Sequence, residues 1–146
     1  MGSNVANRTV CRYSAMKLNE NRLWKYFSLY IRVRDARPFY GTIFCITCGA
    51  PRHYNGADCG HGVSRRHMAT KYDERNNHAQ CKTCNGLEGG RQEDYAKEVD
   101  KRYGPGTWDA IVLKSRELKK YTQSEIDELA DHYKKEYERI KTEKHI

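Results

Sequence analysis

Apolar and polar positions alternate along this chain in three different rhythms. From about Asn19 to Ala36, Leu23, Phe27, Tyr30, Ile31 and Arg34 fall near helical spacing with Trp24 alongside, which predicts a first helix. The Arg37-Pro38 step biases the backbone out of the α region and ends it. Phe39 to Cys45 is aromatic and β-branched, and the Pro, Gly and Asn-rich stretch that follows, through Gly62, suits short strands and turns. Asn77 to about Glu88 is expected to be a helix leaving at Gly89-Gly90, and Arg91 to Arg102 a further one stopped by Gly104-Pro105-Gly106. The clearest signature comes last. Thr122-Gln123-Ser124-Glu125 is a capping box, and Ile126, Leu129, Tyr133, Tyr137 and Ile140 continue it as one apolar stripe. Such a stripe packs on its own domain or on a sister subunit.

Composition narrows the picture. With 146 residues and 38% hydrophobic content, one domain with helical extensions is the upper bound, and a multidomain machine is excluded. No run of about 18 apolar residues occurs and no apolar segment follows a basic start, so neither a membrane span nor a signal peptide is expected and the chain reads as intracellular. Residues 1–15 show no period and are expected to fray; 16–38 form the N-terminal helical segment, 39–90 the core and 91–146 a C-terminal helical region. The formal charge of +8 is uneven, at +6 over residues 1–50, +3 over 51–116 and −1 over 117–146. Nucleic acid is the first candidate partner, and the last segment is not a basic arm.

Cys45-Ile46-Thr47-Cys48 and Cys81-Lys82-Thr83-Cys84 are two C-x-x-C pairs separated by 32 residues. In a reducing compartment this spacing points to one structural zinc ion held by four thiolates, a staple that a core-poor chain needs. Cys11 and Cys59 are left over as free thiols. The long spacer holds structure of its own, and with it Asp58, His61, Asn76 and His78; Asn85 and Glu88 come just after the second pair. Cys81, Cys84, Asn85 and Glu88 are spaced to share one helical stripe, with thiolates at one end and an amide and a carboxylate at the other. Asp58 and His61 would face opposite ways on a regular strand, so a bulge at Gly60 is expected to bring them together. Arg65, Arg66, Lys71, Arg75 and Lys82 surround this region and are candidate phosphate contacts.

In this order the motifs resemble the phage NinG (Rap) recombination endonucleases, within the HNH or ββα-metal nuclease class. The resemblance rests on Ser28-x-x-Ile31-Arg32-x-Arg34-Asp35, Cys45-x-x-Cys48-Gly49, Asp58-x-Gly60-His61, Ser64-Arg65, Asp73 through Asn85, and Lys120-Tyr121-Thr122, covering roughly residues 20–146. Cys81-x-x-Cys84-Asn85-x-x-Glu88-Gly89 is also similar to the active-site helix of phage endonuclease VII resolvases. The resemblance implies an α+β fold: a small ββα-metal core with a four-Cys structural zinc site, flanked by an N-terminal helix and C-terminal helices. It implies His61 as general base and Asp58 and Asn85 as ligands of one catalytic Mg or Mn. Asn76 would brace the loop that aims His61, Glu88 would assist the ion through water, and His78 would be a further ligand or a phosphate contact. Many HNH proteins carry the metal-binding Asp immediately before the His, where this chain has Gly60. The implied activity is cleavage of branched DNA, such as Holliday junctions or strand-invasion intermediates, in the cytoplasm of an infected bacterial host. Cutting two opposing strands implies a homodimer, with the first helix or the Ile126 to Ile140 stripe as interface. Two other readings stay open: a less selective HNH nicking or duplex endonuclease, and a zinc module that binds DNA without cutting it.

Overall fold

The computed structural model describes residues 17–146. The expectations for the frayed start and for Cys11 lie outside the described residues. A long helix α1 (Asn21–Asp35) opens the fold and a longer one, α5 (Gln123–Lys144), closes it. The two pack along each other. Leu23, Phe27, Tyr30 and Ile31 of α1 meet Ile126, Ala130 and Tyr133 of α5, with Leu129, Tyr137 and Ile140 partly buried at the margin. The apolar stripe therefore packs on the chain's own domain, one of the two places expected for it. The Thr122–Glu125 capping box forms in both directions, so the start of α5 is fixed where its residues require.

Between these helices lie two separate antiparallel pairs, β1 (Thr42–Phe44) with β2 (Pro51–His53) and β3 (Asp58–His61) with β4 (Asn77–Gln80). A short helix α2 (Met68–Lys71) sits in the connection from β3 to β4, and a single wide helical turn, Thr83–Leu87, follows β4. Helices α3 (Gln92–Tyr103) and α4 (Thr107–Ser115) then bury Tyr95, Val99 and Ile111 against Ile46 and Val63. The result is a small α+β domain.

Three expectations need correction. Asn77 to Gln80 is a strand rather than the start of a helix. Its four side chains are all buried, and α1 holds its backbone: Arg34 donates to the Asn77 carbonyl (2.8 Å) and the Ala79 N–H donates to Asp35 Oδ2 (2.8 Å). Local pattern carries no trace of contacts made 43 and 44 residues away. There is no bulge at Gly60, since β3 and β4 pair one to one from Asp58↔Gln80 to His61↔Asn77. Gly60 is required for a different reason: a Cβ there would lie 2.9 Å from the Gln80 Cβ and overlap the rest of that side chain. Finally, α4 forms where no helix is expected from the sequence, starting just after left-handed Gly106 and anchored by the Trp108 N–H donating to Asp100 (2.7 Å).

Candidate metal centre and active site

The sulfurs of Cys45, Cys48, Cys81 and Cys84 all lie within 4.8 Å of one another, and no other such cluster of His, Cys, Asp or Glu occurs among the described residues. A tetrahedral ion with Zn–S bonds of about 2.3 Å sets its sulfurs about 3.8 Å apart. Cys48 and Cys81 stand at 3.8 Å, so the set fits a structural zinc. The first pair comes from the loop after β1, the second from the end of β4 and the wide turn. Backbone N–H groups already point at the sulfurs, Cys81 at Cys45 (3.3 Å) and Cys84 at Cys81 (3.5 Å). Burial disfavours a charged Cys45, but the Cys81 amide and the Thr47 hydroxyl outweigh it and hold the thiol down at about 6. Donors of this kind are what a thiolate ligand needs.

Alongside the cysteine cluster, a cavity of about 580 Å³ opens between α1 and β3. Asp58 and His61 both line it, from opposite ends of β3. His61 closes the strand as the chain turns into Gly62, which is how both reach one cavity without a bulge. Asn85, on the wide turn, donates its amide to Asp58 Oδ2 (3.0 Å), so the resemblance-derived ligand pair is in contact. His61 stacks on Trp24, with ring centroids 5.0 Å apart and planes 20° from parallel, and Arg65 stands 5.1 Å from the Trp24 ring. Its Nε2 is buried without a hydrogen-bond partner. Burial, reinforced by Arg65 and Lys71, pushes the imidazole down to about 3, so it is neutral at physiological pH.

Asn76 sits directly behind His61. Its Oδ1 accepts from the Val63 N–H (2.7 Å), its Nδ2 donates to the carbonyls of Val63 (3.0 Å) and Thr70 (3.2 Å), and its own carbonyl accepts from the Gly62 N–H (2.9 Å). The segment leaving His61 is thereby tied to the segment entering β4.

Other expected residues lie elsewhere. His78 is fully buried and both ring nitrogens are engaged, Nδ1 with the Tyr95 hydroxyl (3.1 Å) and Nε2 with Tyr103 (2.9 Å). It does not join Asp58 and Asn85 and is corrected from ligand to internal support. Glu88 does not share the Asn85 position either, because the wide turn breaks the helical stripe; it is exposed and pairs with Arg91 (3.4 Å). Arg75 is held by Asp73 (3.0 Å) outside the cavity. Arg65 and Lys82 line the cavity, while Arg65, Arg66 and Lys71 line an adjoining groove that also reaches His61 and Asn85. Lys71 is shared with Glu20 (2.9 Å).

Helix α1 contributes a wall that spacing alone does not announce: Trp24, Ser28 and Arg32. Arg32 donates to the carbonyls of Tyr54 (3.1 Å) and Ala57 (3.4 Å), and Arg34 and Asp35 clamp β4. The cluster Ser28-x-x-Ile31-Arg32-x-Arg34-Asp35 thus has a physical basis: a cavity wall and a strand anchor one helical turn apart.

The family model of the bacteriophage lambda NinG protein matches residues 7–143, nearly the whole chain. The chain belongs to the NinG family. NinG membership makes this a phage protein connected with recombination. Comparison with curated proteins and with solved structures gives no match. The part of the NinG match inside the described residues includes the four cysteines, the Asp58–Asn85 contact and the α1 wall. Among the described residues, no helix is long and apolar enough to cross a membrane.

Proposed function

We propose that this NinG-family chain is a metal-dependent endonuclease that hydrolyses phosphodiester bonds in branched DNA. On this reading β3, β4 and the Thr83–Leu87 turn are an HNH-type ββα core, and the four-Cys zinc is its structural staple. The observation that carries it is the unpartnered, neutral His61 Nε2 in one cavity with the Asp58 carboxylate, which accepts from the Asn85 amide, and the cations Arg65 and Lys82.

The Asp58 carboxylate is a hard oxygen donor of the kind Mg or Mn prefers, and Asn85 would add its Oδ1 once the amide, which now turns Nδ2 to Asp58, is rotated. A divalent ion held there supplies charge stabilisation for the phosphate and the departing 3′-oxygen. The rest falls to the chain itself. His61 Nε2 accepts a proton from the attacking water, while Trp24 stacking and the Asn76 brace fix the ring. Arg65, Arg66, Lys71 and Lys82 take phosphate oxygens, and Arg32 walls the cavity on the α1 side. A base held at about 3 is weak in the free protein. A phosphate anion between Arg65 and Lys71 offsets the charges that add to the burial effect and so raises its basicity, while the larger part, from burial, remains. Two opposed nicks require two such sites, so we propose that two copies act on one junction through a surface other than the α1–α5 seam.

The test is a nicking assay on a four-way junction and its matched linear duplex, for wild type and His61→Ala, with Mg, Mn or no added ion. Expected is ion-dependent cutting of the junction in preference to the duplex, lowered about 100-fold or more in His61→Ala. Unchanged cutting by His61→Ala refutes the base. Equal cutting of both substrates reduces the assignment to an unselective endonuclease. Salt-sensitive binding without any cleavage makes the chain a DNA-binding zinc module instead.

A further inference from the structure

The segment from Arg37 to Phe44 projects three aromatic rings. Phe39 is 70% exposed, Tyr40 77% and Phe44 41%. Large rings in water are costly, and Phe39 is also held at φ 65°, a left-handed conformation that bulky residues avoid. The loop holds it there: the Phe39 N–H donates to the Lys144 carbonyl (2.7 Å), Arg37 N–H to Thr42 (2.8 Å) and Gly41 N–H to Arg37 (3.1 Å). Gly41, itself left-handed, has no room for a Cβ, which would lie 2.7 Å from the His53 ring. His145 already stacks on one face of Phe39 (ring centroids 5.1 Å apart, planes 12° from parallel), so the rigid, strained loop presents the other face of Phe39 and the Tyr40 ring outward, a surface built to be covered.

Two features identify what covers it. Residues 36–57 contain Arg37, Arg52 and His53 and no Asp or Glu, so the patch complements an anion. Arg37 lies over the Phe44 ring (4.6 Å), a cation beside a stacking face. The loop is also tied by hydrogen bonds to the wall of the proposed active site. Gly41 O accepts from the Tyr54 N–H (2.9 Å), Tyr54 O accepts from Arg32 (3.1 Å), and Arg32 and Asn55 line the cavity that holds His61.

We propose that the Phe39–Tyr40 tip, with Arg37 and Arg52, is a stacking platform for unpaired or unstacked DNA bases, which the branch point of a junction supplies and a continuous duplex does not. The proposal deepens the nuclease reading and rests on it, since it names the feature by which a branched substrate is told from a linear one. Aromatic stacking of this kind tolerates any base, because each offers a π face, and the flanking arginines take the backbone.

The test is fluorescence anisotropy without added divalent ion, so that binding is read apart from cutting. The probes are a four-way junction carrying 2-aminopurine at the branch point and a linear duplex carrying it mid-strand. Wild type is compared with Tyr40→Ala, Phe39→Ala and, as an equally exposed control, Leu118→Ala. Expected is a change in 2-aminopurine emission only in the junction. Tyr40→Ala should lose it and bind the junction about 10-fold more weakly, with duplex binding and the Leu118→Ala variant unchanged. Tyr40 and Phe39 are exposed, and a circular dichroism melt matching wild type verifies the fold. Junction binding by Tyr40→Ala and Phe39→Ala within 2-fold of wild type, with emission intact, overturns the proposal. So does a concentration-dependent dimer that Tyr40→Ala dissociates while DNA binding is unchanged, which would give the patch to a second copy. Adding Mg to the wild-type complex separates the two readings: binding and emission change without cleavage defeat the nuclease and leave the platform standing.

Discussion

Asn76→Ala removes one buried amide and leaves two backbone groups without partners, the Val63 N–H and the Val63 carbonyl, while the Thr70 carbonyl loses one donor and keeps the Asp73 N–H (3.1 Å). Thr70 and Asn76 are fully buried and Val63 nearly so, so water does not replace the lost bonds. Each orphaned buried group costs about 1–3 kcal/mol, and about 4 kcal/mol for the two together is expected. Against a stability of about 5–15 kcal/mol this is a large fraction. With a urea slope near 2 kcal/mol/M, the unfolding midpoint should fall by about 2 M. Asn76→Asp sharpens the test because it keeps the size and the acceptor facing the Val63 N–H while replacing the donor with an oxygen aimed at two carbonyls. Its deficit relative to wild type at the same pH should shrink as the pH falls and the new carboxyl gains a proton to donate. Urea titrations of both variants between pH 7 and 5 decide the matter. A loss below about 1 kcal/mol in Asn76→Ala, or an Asp deficit that does not change with pH, refutes the reasoning that this amide holds the turn after His61.

Two further outcomes are expected. The protein should carry about one zinc per chain by metal analysis, and stripping it with a chelator or by Cys45→Ser should unfold the domain, because such a site contributes on the order of 10 kcal/mol; a chelated protein with an unchanged melt would contradict this. Acid should destabilise the fold through its buried imidazoles. Burial holds His61 and His78 at about 3, below the unfolded value near 6.5, so the unfolded chain binds more protons between those values and the stability they contribute, complete above about pH 6.5, is lost as the pH falls toward 3. Between pH 7 and 5 each amounts to about 2 kcal/mol, and His61→Gln should flatten the pH dependence of the urea midpoint by about that much; an unchanged dependence would refute it.

What the residues announced and what they concealed divide along the range of the interactions. The helices with a repeating apolar face, α1 and α5, are visible because their period is local, and α5 also because its capping box lies within one turn. The four cysteines are visible because metal chemistry restricts the ligands to two tight pairs, and Asp58, His61 and Asn85 because the resemblance supplied roles for them. Strand β4 is different. Nothing in Asn77-His78-Ala79-Gln80 reads as a strand, and it becomes one because Arg34, Asp35 and β3 claim its backbone. The same distance effect sends His78 to Tyr95 and Tyr103 rather than to a metal. It also joins Trp24 to His61 across 37 positions of sequence. Local periodicity and ligand chemistry are written in neighbouring residues, so the sequence determined the outer helices and the four-cysteine cluster. Which face each remaining side chain meets depends on the packing of segments tens of residues apart, and only the tertiary structure decided the cavity around His61.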